Sequence, residues 1–203
     1  MQKSPRTQGE RSAATQTALV TAARRLWGAR GYATVSTPEI AEAAGVTRGA
    51  LYHQYADKNA LFLAVVEAIE EDVITRLTDA VTAARPETPA DALRLAADAW
   101  LDIASEPEVR QLVLLDAPNV LGWAGFREIS LRYGLGMTEQ LLGAAIDAGQ
   151  LAPQPTRPLA TVMLGALDEA AMSIANAKDE DAEQERADIR AVVHNLIDGL
   201  LSR

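Results

Sequence analysis

The sequence predicts an all-α protein of about nine helices. Alanine is abundant, β-branched residues are sparse, and apolar positions recur at three and four residues almost throughout. No segment alternates with the period of two that a half-buried strand needs. At 203 residues the chain has room for one large or two small domains with a real core.

The first helix is read from Leu19, Ala22, Ala23, Leu26 and Trp27, which share one face; Arg24, Arg25 and Arg30 lie opposite, and Gly31 is a C-terminal stop. Residues 1–14, with Lys3, Arg6 and Arg11, precede this periodicity and are expected to form a disordered basic arm, reaching a minor groove or staying in solvent. Ser36-Thr37-Pro38-Glu39 is a capping box, with Ser at the N-cap, Glu three residues on, and Pro in the first turn where its missing N–H costs nothing. That helix ends near Ala44, at Gly45, and Thr47 caps a third running to about Tyr55. Asp57-Lys58 opens a long amphipathic helix over about 59–84, which the run Arg85-Pro86-Glu87-Thr88-Pro89 terminates. Further helices are read over 90–105 and 107–116, the latter interrupted by Pro118 and Gly122, and then over about 123–148. Gly149 and the Pro-rich 150–158 close that element, and an Ala/Leu-rich helix follows to about 177. The acidic stretch 178–185 reads as a solvated loop before a last helix carrying Ile189, Val192, Val193, Leu196, Ile197, Leu200 and Leu201.

Composition excludes several chemistries. There is no cysteine, hence no disulfide, thiolate metal site or cysteine nucleophile, and a reducing cytoplasm is the expected compartment. The amino terminus lacks the apolar core of a signal peptide and no apolar run approaches the ~18 residues of a membrane span, so a soluble protein with no membrane partner is expected. The two histidines, His53 and His194, are far apart, and no metal-ligand spacing, phosphate-cradling glycine loop or nucleophile motif is present; no cofactor, metal or catalytic residue is expected.

A formal net charge of −9 argues at first against nucleic acid, which needs local positive charge. The distribution reverses that inference. Residues 1–60 hold eight Lys and Arg against four Asp and Glu, a balance of +4, whereas the remaining 143 hold 11 against 24, a balance of −13. Within the basic part, 36–55 reads as two short helices about a Gly-Val turn, the pattern of a helix-turn-helix whose second helix enters the major groove. Ile40, Ala44, Val46 and Leu51 supply its small core, and Gly45 the positive φ of the turn. Gly49 and Ala50 keep the outer face of the second helix low enough for backbone to approach DNA, leaving Arg48, Tyr52, His53 and Gln54 to project. Arg48 is the candidate for bidentate guanine reading, Tyr52 for a phosphate contact through its hydroxyl, and His53 for either a base edge or a phosphate. Ser36 and Thr37, at the start of one helix, and Lys58, at the start of another, are candidates for phosphate positioning.

Trp27-Gly28-Ala29-Arg30-Gly31-Tyr32, the unbroken run from Ile40 to Tyr52, and Tyr55, Lys58 and Leu61 together resemble the amino-terminal domain of the TetR family of transcriptional regulators, over about residues 15–63. Gln54 and Tyr55 depart from the usual His and Phe of that family. The resemblance implies a homodimer on a near-palindromic double-stranded operator, with a ligand pocket in a second domain. It also implies DNA contacts from Thr47, Arg48, Tyr52 and His53, with Ser36, Thr37 and Lys58 at the helix starts. The domains are then 15–60 for DNA binding and 61–203 for effector binding and dimerisation. The alternative is a helical metabolite-binding protein or enzyme without a DNA role.

Within 61–203, Trp100, Trp123, Phe126 and Tyr133, followed by Met137, Met163 and Met172, are candidates for an apolar pocket, with Asp116, Asn119, Arg127, Asp168 and Glu169 as polar residues among them. The ligand-contact set is drawn as Trp100, Asn119, Trp123, Phe126, Arg127, Tyr133, Met137 and Met163, although core packing accounts for Trp and Met equally well. Asp116 also reads as a helix cap, and Gly134 and Gly136, costly inside a helix, point to a kink or close approach. A hydrophobic or aromatic small-molecule effector is expected. Leu159, Met163, Ala166, Leu167, Ala170, Ala171 and Ile174, with Val192, Val193, Leu196, Ile197 and Leu200, give the last two helices wide apolar faces suited to a four-helix dimer interface.

Overall fold

A computed structural model describes residues 7–177 and 182–201, and every regular element among them is helical. The order is α1 (Gln8–Arg30), α2 (Thr37–Ala43), α3 (Arg48–Gln54), α4 (Lys58–Ala84), α5 (Pro89–Ala104), α6 (Pro107–Val109), a π-helical stretch (Arg110–Asp116), α7 (Ala117–Val120), α8 (Gly122–Asp147), α9 (Thr156–Asn176) and α10 (Ala182–Leu201). With 107–120 taken as one unbroken segment, the described residues form nine helices.

Four expectations are corrected. Residues 8–14 are not a loose arm: Thr7 and Glu10 form a capping box, each side chain bonding the other's backbone N–H, at 3.2 and 2.7 Å, so α1 starts at Gln8. Arg11 is exposed on that helix, while Lys3 and Arg6 lie outside the described residues. Pro118 does not end its helix, because the chain reaches it in π register rather than through an α ladder that needs its N–H. The end of the acidic stretch is helical from Ala182, with Glu183 and Glu185 in a first turn where the helix dipole favours negative charge; 178–181 lie outside the described residues. Finally, α9 is, by length and composition, apolar enough to cross a membrane. It is instead a core helix, holding the buried Asp168 in an ion pair with Arg127.

The chain divides into two compact units at Ile69/Glu70, inside α4 and beyond the boundary placed at residue 60. In the first, Leu19, Trp27, Val35, Ile40, Leu51, Leu61 and Phe62 are buried and join α1, α2, α3 and the start of α4. The rings of Trp27, Tyr32 and Phe62 pack with centroids 4.8–5.5 Å apart, edge-on or tilted, each pair adding about 0.5–1.5 kcal/mol beyond its buried area.

In the second unit α8 packs along α9, α5 against both, and α10 across α5 and α9. Ion pairs fasten α10 to α5: Asp98 accepts from Arg190 at 2.8 Å and lies 2.9 Å from His194 Nε2, and Arg94 reaches Asp198 at 2.6 Å. Of the two glycines singled out in α8, Gly134 is a close approach, where an added Cβ would lie 2.8 Å from Leu164 Cδ1 of α9. A Cβ added at Gly136 would meet nothing within 4 Å, and α8 continues through the position. Replacing Gly136 with Ala is therefore expected to raise stability by about 1 kcal/mol, read from thermal or urea unfolding. A loss of stability would mean that the position is covered by something outside the chain.

Candidate functional site

In the first unit the site is built from two capped helices and a tight turn. Ser36 caps α2, accepting the Glu39 N–H at 3.5 Å and donating to Glu39 Oε2 at 2.8 Å. The Ser36 backbone N–H, then its hydroxyl, then Arg30 at 3.1 Å, hold the Glu39 carboxyl down at about 2. The α2 terminus is a Schellman motif: Gly45 N–H bonds the Glu42 carbonyl, Val46 N–H bonds the Ala41 carbonyl, and Gly45 takes φ +67°. Thr47 then caps α3, accepting the Ala50 N–H at 3.1 Å.

Leu51, fully buried, seats α3, and this fixes what faces outward. Thr47, Arg48, Gly49, Tyr52 and His53 are all exposed. A Cβ at Gly49 would meet nothing closer than 3.9 Å, so the protein's own packing does not require glycine there. The Arg48 guanidinium carbon lies 5.5 Å from the Tyr52 ring centroid, a cation–π contact that pre-orients the side chain. Hydrogen bonding from Thr37, then Arg48, lowers the pKa of the Tyr52 phenol.

Three residues have other places than the sequence implied. Thr37, expected to meet phosphate, is buried, and its hydroxyl lies 2.9 Å from that of Tyr52, so it braces the α3 face from behind. Lys58 is half-buried; its ammonium donates to the Tyr32 carbonyl at 2.7 Å and sits 4.0 Å over the Tyr32 ring, fastening the start of α4. Gln54, expected to project, accepts from Ser12 Oγ at 3.0 Å and ties α3 to α1.

The second unit encloses an apolar cavity of about 70 Å³. Trp100, Phe126, Met137 and Met163 line it, as the sequence suggested, and the Trp100 indole N–H donates to the Leu167 carbonyl at 3.2 Å. The other four candidates do not line it. Asn119 is exposed and donates to the Leu115 carbonyl at 2.7 Å. Trp123, 59% exposed, stands beside Phe126 over a separate surface depression shared with Glu169 and Met172. Tyr133 is half-buried away from the cavity. Arg127 acts from behind, donating to Asp168 at 3.0 Å, Ser130 at 3.1 Å and the Thr161 carbonyl at 2.9 Å. Asp116 makes no capping bond to α7.

Sequence reasoning missed Glu70, Ser130 and Thr138, which give this cavity its polar side together with Asp168. Ser130 donates to Asp168 at 2.5 Å. Burial raises the Asp168 pKa, opposed by Ser130 and Arg127. Glu70 is raised to about 7 by burial and then by the charge of Asp168. The signal for Glu70 was present: it stands four residues after Val66 and three before Val73, on the apolar face of α4. Among the described residues, no group of three or more His, Asp or Glu is placed to hold a metal ion.

Residues 19–65 match the family described as bacterial regulatory proteins, tetR family, and residues 90–200 match the tetracyclin repressor-like C-terminal domain. The chain is 27% identical over 175 residues to the transposon Tn10 TetC protein of Escherichia coli, covering 85% of this chain and 86% of that one. It is 37% identical over 82 residues to the HTH-type transcriptional regulator CymR of Pseudomonas putida, 40% of each chain. Among solved structures, a TetR-family transcriptional regulator of Pectobacterium atrosepticum aligns with a TM-score of 0.85 and 34% identity, covering 98% of this chain and 99% of that one.

Proposed function

The chain belongs to the TetR family of bacterial regulatory proteins, and from that premise we propose that it is a cytoplasmic homodimeric repressor, released from a palindromic operator when a small hydrophobic or aromatic molecule binds its second unit. The observation that carries the DNA half is the exposed face of α3, where Thr47, Arg48, Tyr52 and His53 project around a bare Gly49. Such a helix enters a major groove, and a two-fold dimer reads two half-sites one helical turn apart. For the dimer, the expected faces of α9 and α10 divide in two. Met163, Ala170, Ala171, Ile174, Val193 and Ile197 are spent on the chain's own core, while Val192 and Leu196 on α10 stay about half exposed and Val162 on α9 is 71% exposed. That exposed apolar set is the surface proposed to pair.

The effector acts by differential affinity: it binds the form whose recognition helices do not fit successive grooves more tightly than the form that does fit. The test is electrophoretic retardation of short palindromes from the DNA around the gene at ~50–100 mM salt, where phosphate-driven affinity is still strong. Arg48→Ala is expected to weaken the operator complex by about 1–3 kcal/mol per half-site, roughly 5- to 150-fold, and to relax preference at one base position. Equal weakening on operator and random DNA would remove Arg48 from base reading, and no retarded fragment at all would overturn the regulator itself.

A further inference from the structure

Glu70 is a carboxyl group inside an apolar chamber, where a charge is expensive unless something pairs with it. It is only 7% exposed, lines the cavity, and accepts no hydrogen bond from any described residue. Its neighbour is another acid: Asp168, on α9, lines the same cavity. Asp168 has its counter-charge, since Arg127 and Ser130 both donate to it. The bonds Arg127 makes go to Asp168, Ser130 and the Thr161 carbonyl, none of them to Glu70, and Arg127 is not part of the cavity lining. Of the described residues that line the cavity, Glu70 and Asp168 are the ones that ionise, so with both charged the chamber has a cation-attracting pole and no basic group on its wall. Trp100 and Phe126 line the apolar remainder, and aromatic faces also favour a cation.

We infer that the effector of this cavity carries a basic nitrogen, an apolar or aromatic body bearing a protonated amine that pairs with Glu70. The inference deepens the reading of the second unit as an effector domain and rests on it. The neutral polar groups Ser130 and Thr138 beside the acids can take a second donor or acceptor on the ligand. An anionic ligand is disfavoured, because it meets two carboxyls and an arginine already paired. Amine binding also drives Glu70 to its charged form, which lies close to half-populated near neutrality, so a fraction of a proton is released on binding near pH 7.

The experiment uses the intact protein and three probes of one shape: 2-phenylethylamine, 2-phenylethanol and phenylacetate, titrated calorimetrically at pH 8, with operator release followed in parallel. The amine is expected to bind about tenfold or more tighter than the alcohol, the worth of one charge-assisted hydrogen bond, and phenylacetate more weakly than either. Glu70→Gln is expected to bring amine and alcohol to similar affinity, chiefly by weakening the amine about tenfold or more. Titration of the unsubstituted protein with the amine in two buffers of different ionisation enthalpy is expected to reveal the released proton near pH 7. Equal binding of all three probes, tightest binding of phenylacetate, or an amine affinity indifferent to Glu70→Gln overturns the inference. Failure of every probe to bind, with operator binding intact, also overturns it and leaves the DNA reading standing. Amine binding that never releases the operator sustains the site and overturns the effector role instead.

Discussion

Arg127→Met is expected to destabilise the protein by about 3–5 kcal/mol, because it strips the counter-charge from a buried carboxylate rather than removing a surface ion pair. The Asp168 side chain is 9% exposed and that of Arg127 22%, and among the described residues the other side chain that donates to Asp168 is the uncharged Ser130. The same substitution frees the Thr161 carbonyl and removes a bond to Ser130. Urea unfolding near pH 7.5 measures the loss. Arg127→Met combined with Asp168→Asn is expected to recover most of it, since removing both charges leaves no unpaired ion. A single-substitution loss under about 1 kcal/mol would place this pair with ordinary surface bridges.

Glu70→Gln is expected to act in the opposite direction and to do so only above a certain pH. The folded protein holds the Glu70 proton up to about 7, against an ordinary value of 4.5, so between those values the native state binds more protons than the unfolded chain. Stability contributed by the neutral acid is fully present below 4.5 and is lost as pH rises through 7. Glutamine never has to ionise. The variant is therefore expected to match the parent near pH 4 and to exceed it by on the order of 3 kcal/mol at pH 8, since each tenfold change in proton affinity on folding is worth about 1.4 kcal/mol. Paired unfolding curves across that range measure the gap, and a gap that does not widen with pH would mean that Glu70 ionises freely.

Much of the DNA-facing unit was legible in the sequence because its determinants are local. Ser36 and Glu39, Gly45, and Thr47 each act within a few residues, and the register they set leaves Leu51 inward and Arg48, Tyr52 and His53 outward. The start of α1 was equally legible from Thr7 and Glu10, a pairing the apolar periodicity obscured because it begins later. Pairings between distant residues were not legible. Thr37 reads as a helix-start hydroxyl until Tyr52 is seen over it, and Lys58 as a free cation until Tyr32 is seen beneath it. Arg127 and Asp168 are each ambiguous alone, and their bond turns one candidate pocket residue into a brace and exposes Glu70 as the acid left over. Nor can composition say which apolar residue of α9 turns inward: Met163 is 8% exposed and its neighbour Val162 71%.

The bare backbone at Gly134 gives Leu164 an unusual office. With no side chain at position 134, Leu164 packs directly on the α8 backbone where both residues line the chamber. A shorter side chain at 164 would open the chamber there and a longer one would press on the α8 backbone, while the residues of α3 stay as they are. A lineage could thus change the molecules its gene answers to by exchanging one residue, keeping the same operator throughout.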